Sequence, residues 1–119
     1  MLIKELSLRT GASVRSIRYY ETKGIINSRR LENGYRDYDD TAVGRIKTIQ
    51  LYLSLGLTTD NIAQIIECPT SMQNNRPLCK AAYELYKTKL NEVNKQLELL
   101  QTVQLRLQER MSEFDRLGY

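Results

Sequence analysis

The segment that most constrains the fold of this chain runs from Pro77 to about Arg116 and contains no glycine and no further proline. Proline suits the first turn of a helix, because its missing N–H would have no helical partner there. At 1.5 Å per residue, roughly 40 residues form a rod of about 60 Å, longer than a domain of this size can cover. The segment therefore predicts one long helix that needs a second helix against its apolar side.

The apolar residues of this segment recur on alternating steps of three and four, which is a heptad pattern of several repeats. We name the resulting apolar line the seam. We predict that it is a homodimer interface formed by Tyr86, Leu90, Val93, Leu97, Leu100, Leu107 and Met111, with Cys79, Tyr83 and Phe114 on the same line. Gln104 fills the one polar position, where it either helps to set the register or is simply tolerated. The heptads alone do not fix whether the two helices run parallel or antiparallel.

A second feature is a short helix signal delimited by Ser13, a good N-cap, and Gly24, a good stop. Val14 and Ile17 fall together on one side of this helix and suit burial. The opposite side and its flanks carry basic, hydroxyl and aromatic residues: Arg15, Ser16, Arg18, Tyr19 and Tyr20. One face of the predicted helix is therefore suited to the core and the other to an anionic partner.

The residues before this helix form another helical pattern. Ile3 and Leu6 are spaced for one apolar face, and a tight turn at residues 10–12 with a central glycine precedes Ser13. Two short helices joined by such a turn are typical of a helix-turn-helix, whose second helix enters the major groove of DNA. Many helical hairpins with this shape bind no nucleic acid, so the pattern alone leaves both interpretations open.

A hairpin is predicted at residues 29–38. Asn33-Gly34 is a strong hairpin signal, because a type I′ turn needs positive φ at both central residues. Arginine and tyrosine on such a ribbon, or wing, can donate hydrogen bonds to phosphate oxygens. The side chains concerned are Arg29, Arg30, Tyr35, Arg36 and Tyr38. The alternative is a hairpin that packs its tyrosines, Tyr38 above all, on neighbouring helices.

Two further helices complete a predicted domain of about 70 residues. Asp39 or Asp40 is expected to cap the first and Gly56 to end it. Thr58 or Thr59 is expected to cap the second, and Cys68-Pro69 to end it. The expected buried positions are Val43, Ile46, Ile49 or Gln50, and Leu53 in the first helix, and Ile62, Ile65 and Ile66 in the second.

The positive charge of the chain is unevenly placed. Residues 1–47 hold ten Lys and Arg against six Asp and Glu, and the remaining residues hold eight of each, so the whole net charge of +4 lies in the first part. This favours a polyanionic partner for residues 1–47. The sequence has no histidine, and no carboxylate pair, Ser/Lys arrangement or phosphate-binding glycine loop takes its place, so we reject an enzyme.

No run of about 18 apolar residues and no charged-then-apolar leader is present in the sequence. We therefore expect a cytoplasmic protein that has no membrane partner.

Two motifs in the chain resemble those of the MerR family of bacterial transcription regulators. The first is IRYYE at residues 17–21, leading to Gly24, and the second is NGYRDY at residues 33–38. The resemblance implies a mainly α-helical protein, with a winged helix-turn-helix DNA-binding domain and a long dimerisation helix in an antiparallel coiled coil. It also implies DNA contacts by Arg15, Ser16, Arg18, Tyr19 and Tyr20 on the second helix and by Tyr35, Arg36 and Tyr38 on the wing.

The same resemblance implies the domain limits and the function. Residues 1–70 would form the DNA-binding domain, with the helix-turn-helix at about 3–23 and the wing at about 29–38. Residues 71–76 would be a linker. Residues 77–119 would form the dimerisation helix. The homodimer would bind palindromic double-stranded promoter DNA and distort it so that RNA polymerase engages. The alternatives are a coiled-coil adaptor and a non-specific architectural DNA-binding protein.

Cys68 and Cys79 are the candidate sensor residues. Cys79 stands at the start of the long helix, where metal-sensing members of the family are understood to place a ligand. Those members add a cysteine-containing loop that this sequence lacks, so one protomer cannot complete a typical zinc site. A shared metal, thiol oxidation including a Cys68–Cys79 disulfide, an organic effector and a purely structural role all stay open. We assign no cofactor and no metal site.

Overall fold

The computed structural model of the protein describes residues 1–67 and 79–118. The chain divides into two compact units, Met1–Tyr83 and Glu84–Tyr119, which are described separately. The elements of the described ranges are α1 (Ile3–Thr10), α2 (Val14–Thr22), β1 (Arg29–Arg30), β2 (Arg36–Asp37), α3 (Thr41–Ser54), α4 (Thr59–Ile65) and α5 (Lys80–Arg116). The prediction of a mainly helical protein with a small β wing and a long final helix is confirmed.

The helix-turn-helix is built from local signals. Gly11 ends α1 in the left-handed region, at φ +76°, and its N–H donates to the carbonyl oxygen of Ser7 over 2.9 Å. Ser13 then caps α2, because its hydroxyl accepts a hydrogen bond from the Ser16 N–H over 3.0 Å. The predicted start of α2 is confirmed, and α2 ends at Thr22, just before Gly24.

The core of the first unit collects apolar side chains from every helix that surrounds it. α1 packs against α2 and α3, and α3 packs against α4. The largest fully buried side chains are Leu6, Ile17, Ile25, Tyr38, Ile46, Ile49, Tyr52, Ile62 and Ile65. Burying one apolar side chain of this size contributes roughly 1.5–3 kcal/mol before entropy is counted, so this cluster is the main stabilising feature of the unit.

The wing is an antiparallel pair in which Arg29 lies opposite Asp37 and Arg30 opposite Arg36. Its turn differs from the predicted two-residue type I′ turn. The Gly34 N–H donates to the Leu31 carbonyl over 2.9 Å, and the Leu31 N–H donates to the Tyr35 carbonyl over 2.7 Å. The loop therefore has three residues, and the left-handed conformation at φ +86° falls on Gly34, its last residue. This is the pattern of a turn followed by a glycine bulge, which needs positive φ only at the glycine.

The caps of α3 and α4 follow the prediction in part. Asp40 is the N-cap residue of α3, but its side chain makes no capping hydrogen bond. In α4 the predicted cap Thr58 forms a full capping box with Asn61. The buried line of α3 runs through Tyr52, whereas the predicted Leu53 is 37% exposed. Helical phase alone would bury Leu53 beside Ile46 and Ile49, but Leu53 lies exposed in the last turn of α3.

α5 is a single helix of 37 residues, about 56 Å long at the standard rise. It begins at Lys80, close to the prediction. In the first unit, Ala82 on its first turn is buried. Pro77, the predicted linker at residues 71–76 and the predicted Cys68-Pro69 helix end lie outside the described residues. No helix of the described ranges is both long enough and apolar enough to cross a membrane.

Candidate nucleic-acid interface

A cleft of about 290 Å³ opens between the helix-turn-helix and the wing. Three arginines from three different elements line it: Arg18 of α2, Arg30 of β1 and Arg36 of β2. Leu2, Ile3, Gly34 and Tyr35 complete the lining. We call this feature the arginine cleft. It brings together Arg18, Tyr35 and Arg36, which the family resemblance had implied as DNA contacts, and adds Arg30, which had been named only among the wing side chains able to donate to phosphate.

The positive charges of the arginine cleft lie close together. Arg30 and Arg36 are directly opposite across the two strands, and like charges in that position repel each other. Glu21 offsets part of the repulsion, because one of its carboxylate oxygens lies 3.2 Å from Arg36 Nε. A guanidinium offers donors on three nitrogens in a planar fork, the geometry that suits phosphate oxygens. The cleft is therefore suited to binding an anion.

Glu21 joins α2 to the wing. Its Oε2 forms an ion pair with Arg36, 3.2 Å from Nε, and accepts a hydrogen bond from the Tyr38 hydroxyl over 3.4 Å, while its Oε1 accepts from the Ser28 hydroxyl. The Glu21 side chain is only 19% exposed. Burial, and secondly the negative charge of Glu21, raise the pKa of Tyr38, so this phenol remains a donor at neutral pH. Glu21 was not among the predicted site residues, although one signal marks it in the sequence, because it is the only acid in α2.

The exposed face of α2 carries the residues predicted to contact bases. Arg15 is exposed, and the Ser16 hydroxyl lies 2.9 Å from the Ser13 hydroxyl. Tyr19 is 48% exposed, and its ring lies 5.7 Å below the Lys23 ammonium. The Tyr19 hydroxyl lies 3.5 Å from the hydroxyl of Thr59 at the start of α4. Tyr19 is thus a partly exposed ring that is restrained from two sides.

Tyr20 and Tyr38 are the two predicted DNA contacts whose side chains do not reach the surface. Tyr20 is 7% exposed and Tyr38 fully buried. Tyr20 shares the inward side of α2 with Ile17, and Tyr38 follows β2 and turns into the core. Tyr38 therefore lies where the alternative interpretation of the hairpin had placed it, packed on the neighbouring helices. The structure places both tyrosines in the core, and their contact with DNA stays a prediction.

The beginning of the chain also holds the wing in place. The amino group of Met1 donates to an Asp37 carboxylate oxygen over 2.8 Å and to the Tyr38 carbonyl over 2.6 Å. The Tyr38 N–H donates in return to the Met1 carbonyl over 2.8 Å. This ammonium, mainly through its hydrogen bond, lowers the pKa of Asp37. The wing is therefore fastened to the helix-turn-helix at both Asp37 and Glu21.

The candidate sensor residues stand apart from the arginine cleft in the sequence. Cys79 is half-buried and directly precedes α5, whereas Cys68 lies outside the described residues. Within residues 1–67 and 79–118, no three His, Cys, Asp or Glu side chains are grouped so that they could hold a metal ion.

In the second unit the seam of α5 is uncovered in the single protomer. The exposed fraction reaches 59% for Leu90, 63% for Leu100 and 62% for Met111. Leu100, Val103, Gln104, Leu107, Gln108, Met111 and Ser112 line a shallow apolar groove of about 530 Å³. Such a run of exposed apolar side chains on a soluble helix is a surface for association.

A helix-turn-helix followed by a basic two-stranded wing defines the winged helix-turn-helix class of protein. Residues 1–67 match the model of the MerR HTH family of regulatory proteins. The chain belongs to this family, in agreement with the resemblance in the sequence.

Individual relatives give the same result. The HTH-type transcriptional regulator HmrR of Rhizobium leguminosarum bv. viciae is 32% identical over 101 residues, which are 84% of this chain and 75% of that protein. The crystal structure of MtaN, the N-terminus of the multidrug transporter activator of Bacillus subtilis, is 26% identical with a TM-score of 0.67 and covers 90% of this chain and 97% of its own. HiNmlR, a MerR family regulator solved bound to promoter DNA, has the same fold at 18% identity and a TM-score of 0.53, over 97% of this chain and 90% of its own.

Proposed function

We propose that this protein is a transcription regulator that binds promoter DNA sequence-specifically as a homodimer. The observation that carries the proposal is the arginine cleft, in which Arg18, Arg30 and Arg36 converge between α2 and the wing. A site of this kind suits the DNA backbone, because phosphates dominate the affinity of proteins for DNA and arginine binds them well. The regulatory relatives, and the fold shared with a regulator bound to promoter DNA, support the same function.

In the proposed complex, α2 enters the major groove and the cleft residues fix its register on the backbone. Arg15, Ser16 and Tyr19 on the exposed face of α2 are the proposed base-reading residues. Arg18, Arg30, Tyr35 and Arg36 are the proposed phosphate contacts. Tyr20 and Tyr38 support these residues from the core.

The dimer is proposed to form through the seam of α5. The half-buried Tyr86 and the exposed apolar side chains from Leu90 to Met111 lie at heptad spacing, and an antiparallel pair of these helices would cover them. Residues 1–70 would then act as the DNA-binding domain and residues 77–119 as the dimerisation helix. Two copies of α2 held at a fixed distance read two half-sites, so palindromic DNA is the expected target, and distortion of that DNA would allow RNA polymerase to engage.

The experiment that tests this function is enrichment of bound sequences from a random duplex DNA library by the purified protein. A two-fold symmetric motif is expected, and Arg18→Ala is expected to lose most of the enrichment while remaining dimeric in sedimentation. Salt-dependent binding without any motif would instead identify a non-specific architectural protein. Dimerisation without DNA binding would identify a coiled-coil adaptor.

A further inference from the structure

We propose that Glu21 is a positioning residue that holds Arg36, and with it the wing, in the geometry that binds DNA. The inference rests on the proposed function and assigns a role to a residue that is not itself a DNA contact. It starts from an apparent contradiction. Glu21 puts a negative charge on the helix that is proposed to enter the groove of a polyanion, and it does so in the most basic part of the chain.

The contacts of Glu21 resolve the contradiction. Its two oxygens contact three groups that lie on the loop and wing after α2: they accept hydrogen bonds from the Ser28 and Tyr38 hydroxyls and form an ion pair with Arg36. The side chain is 19% exposed, so the carboxylate points into the protein and not outward from α2. The two hydroxyl hydrogen bonds are charge-assisted, and such bonds are stronger than neutral ones. Glu21 therefore acts inside the protein, as the link between the recognition helix and the wing.

The arrangement leaves Arg36 able to bind a second anion. Its closest approach to Glu21 is through Nε, and a guanidinium has further donors on its two terminal nitrogens. The side chain is 39% exposed and lines the arginine cleft. An arginine held at Nε loses less rotational freedom when it binds a phosphate than a free one does. Glu21 thus contributes to DNA affinity through Arg36.

The positioning role and simple electrostatics predict opposite changes in DNA affinity when the charge of Glu21 is removed. Removing an acid near a DNA-binding surface should strengthen binding, because it removes repulsion of the phosphates. The positioning role predicts that Glu21→Gln weakens binding about tenfold, in spite of the lost negative charge. The matched control is Glu32→Gln, which removes an acid from the exposed turn of the wing and is expected to leave binding unchanged or slightly stronger.

The experiment is a double-mutant cycle measured by fluorescence anisotropy on the duplex enriched by the wild-type protein. The four proteins are wild type, Glu21→Gln, Arg36→Lys and the double variant. Arg36→Lys keeps the charge but has no Nε–H, so we expect it to weaken binding by a similar factor. In that background Glu21→Gln should cause no further loss, because there is no longer a guanidinium to orient. Equal losses from Glu21→Gln in both backgrounds, or tighter binding by Glu21→Gln, would overturn the proposal.

A second measurement separates this role from a loss of folding and from a failure of the proposed function. In ¹⁵N-labelled protein without DNA, the Arg36 Nε–H proton should exchange slowly with water in wild type and quickly in Glu21→Gln. The thermal midpoints of both proteins report whether the domain is still folded. Slow exchange in wild type without enrichment of any DNA would support the positioning contact and refute the proposed function. Fast exchange in folded wild type would refute the contact itself.

Discussion

Arg45 Nε donates a hydrogen bond of 2.9 Å to the carbonyl oxygen of Ile25, which ties α3 to the chain segment that follows the recognition helix. A terminal nitrogen of the same guanidinium lies 2.8 Å from a Glu67 carboxylate oxygen. Ile25 itself is fully buried. Arg45 therefore links the segment after α2 to Glu67, which follows α4.

We expect Arg45→Ala to lower the free energy of unfolding by about 1.5–3 kcal/mol, because it leaves the Ile25 carbonyl without its charged donor. The measurement is urea denaturation at a fixed protein concentration, since the proposed dimerisation would make the apparent stability depend on concentration. Lys47→Ala removes an exposed charge from the same helix and should change stability by less than about 0.5 kcal/mol. Equal effects of the two substitutions would contradict this role of Arg45.

The cap of α2 gives a second stability prediction. Ser13 accepts the Ser16 N–H, so Ser13→Ala should destabilise the domain by about 1 kcal/mol, whereas Ser13→Gly should cost only a few tenths. Thermal unfolding of the three proteins measures the difference. Ser54→Ala, at the exposed last position of α3, is the control for loss of a serine hydroxyl. A Ser13→Ala protein as stable as wild type would show that the cap contributes nothing.

The arginine cleft predicts a change in salt dependence. If Arg30 contacts a phosphate, Arg30→Ala should weaken binding to all sequences similarly and reduce the slope of log affinity against log salt by about 1. Arg15→Ala should instead relax the preference for particular base pairs. Arg106→Ala on α5 is the matched control and should leave the slope unchanged. An unchanged slope in Arg30→Ala would remove Arg30 from the phosphate contacts.

The seam predicts the oligomeric state. Leu100→Glu should convert the dimer to a monomer at micromolar concentration, because it places a charge in the middle of the apolar interface. Leu105→Glu is the matched control, since Leu105 is 59% exposed in the protomer, close to the 63% of Leu100, but lies off the seam. Sedimentation equilibrium distinguishes the two states. Retention of the dimer in Leu100→Glu, or its loss in Leu105→Glu, would argue against this interface.

The raised pKa of Tyr38 predicts that the protein becomes less stable at high pH. Burial and Glu21 raise its pKa above 10.0, so the phenol ionises first in the unfolded chain as the pH rises. The folded state then holds the proton more tightly, and its stability should fall as the pH rises from about 10 towards the raised pKa. Tyr38→Phe should show a smaller decrease over this range, and Tyr35→Phe, which alters an exposed phenol, should behave as wild type. Denaturation at several pH values measures the difference.

Much of the fold could be predicted from the sequence because its signals are local. Ser13 and Thr58 are caps whose partners are three residues away, and Gly11 and Gly34 adopt the positive φ that turns require. The predicted turn type of the wing was wrong, because Asn-Gly fits either a two-residue loop or a loop that ends in a glycine bulge. The backbone pairing of Leu31 with Tyr35 decides between them.

The candidate site was predictable only in part. Arg18, Tyr35 and Arg36 share the arginine cleft as their residue types had indicated, but Tyr20 and Tyr38 turn inward. A tyrosine can donate its hydroxyl to a phosphate or pack its ring in the core with the hydroxyl bonded to a polar group. Residue type alone therefore does not predict which of the two positions a tyrosine occupies.

The sequence by itself determined the order of elements, the helix boundaries set by caps and glycines, the concentration of positive charge in residues 1–47 and the heptad spacing of the seam. These properties depend on neighbours within about one or two helical turns. Only the tertiary structure decided which tyrosines are buried, and that Glu21 pairs with Arg36 across 15 positions of chain. Packing brings such distant residues together, and the free energy of burying a side chain depends on all the partners it finds there.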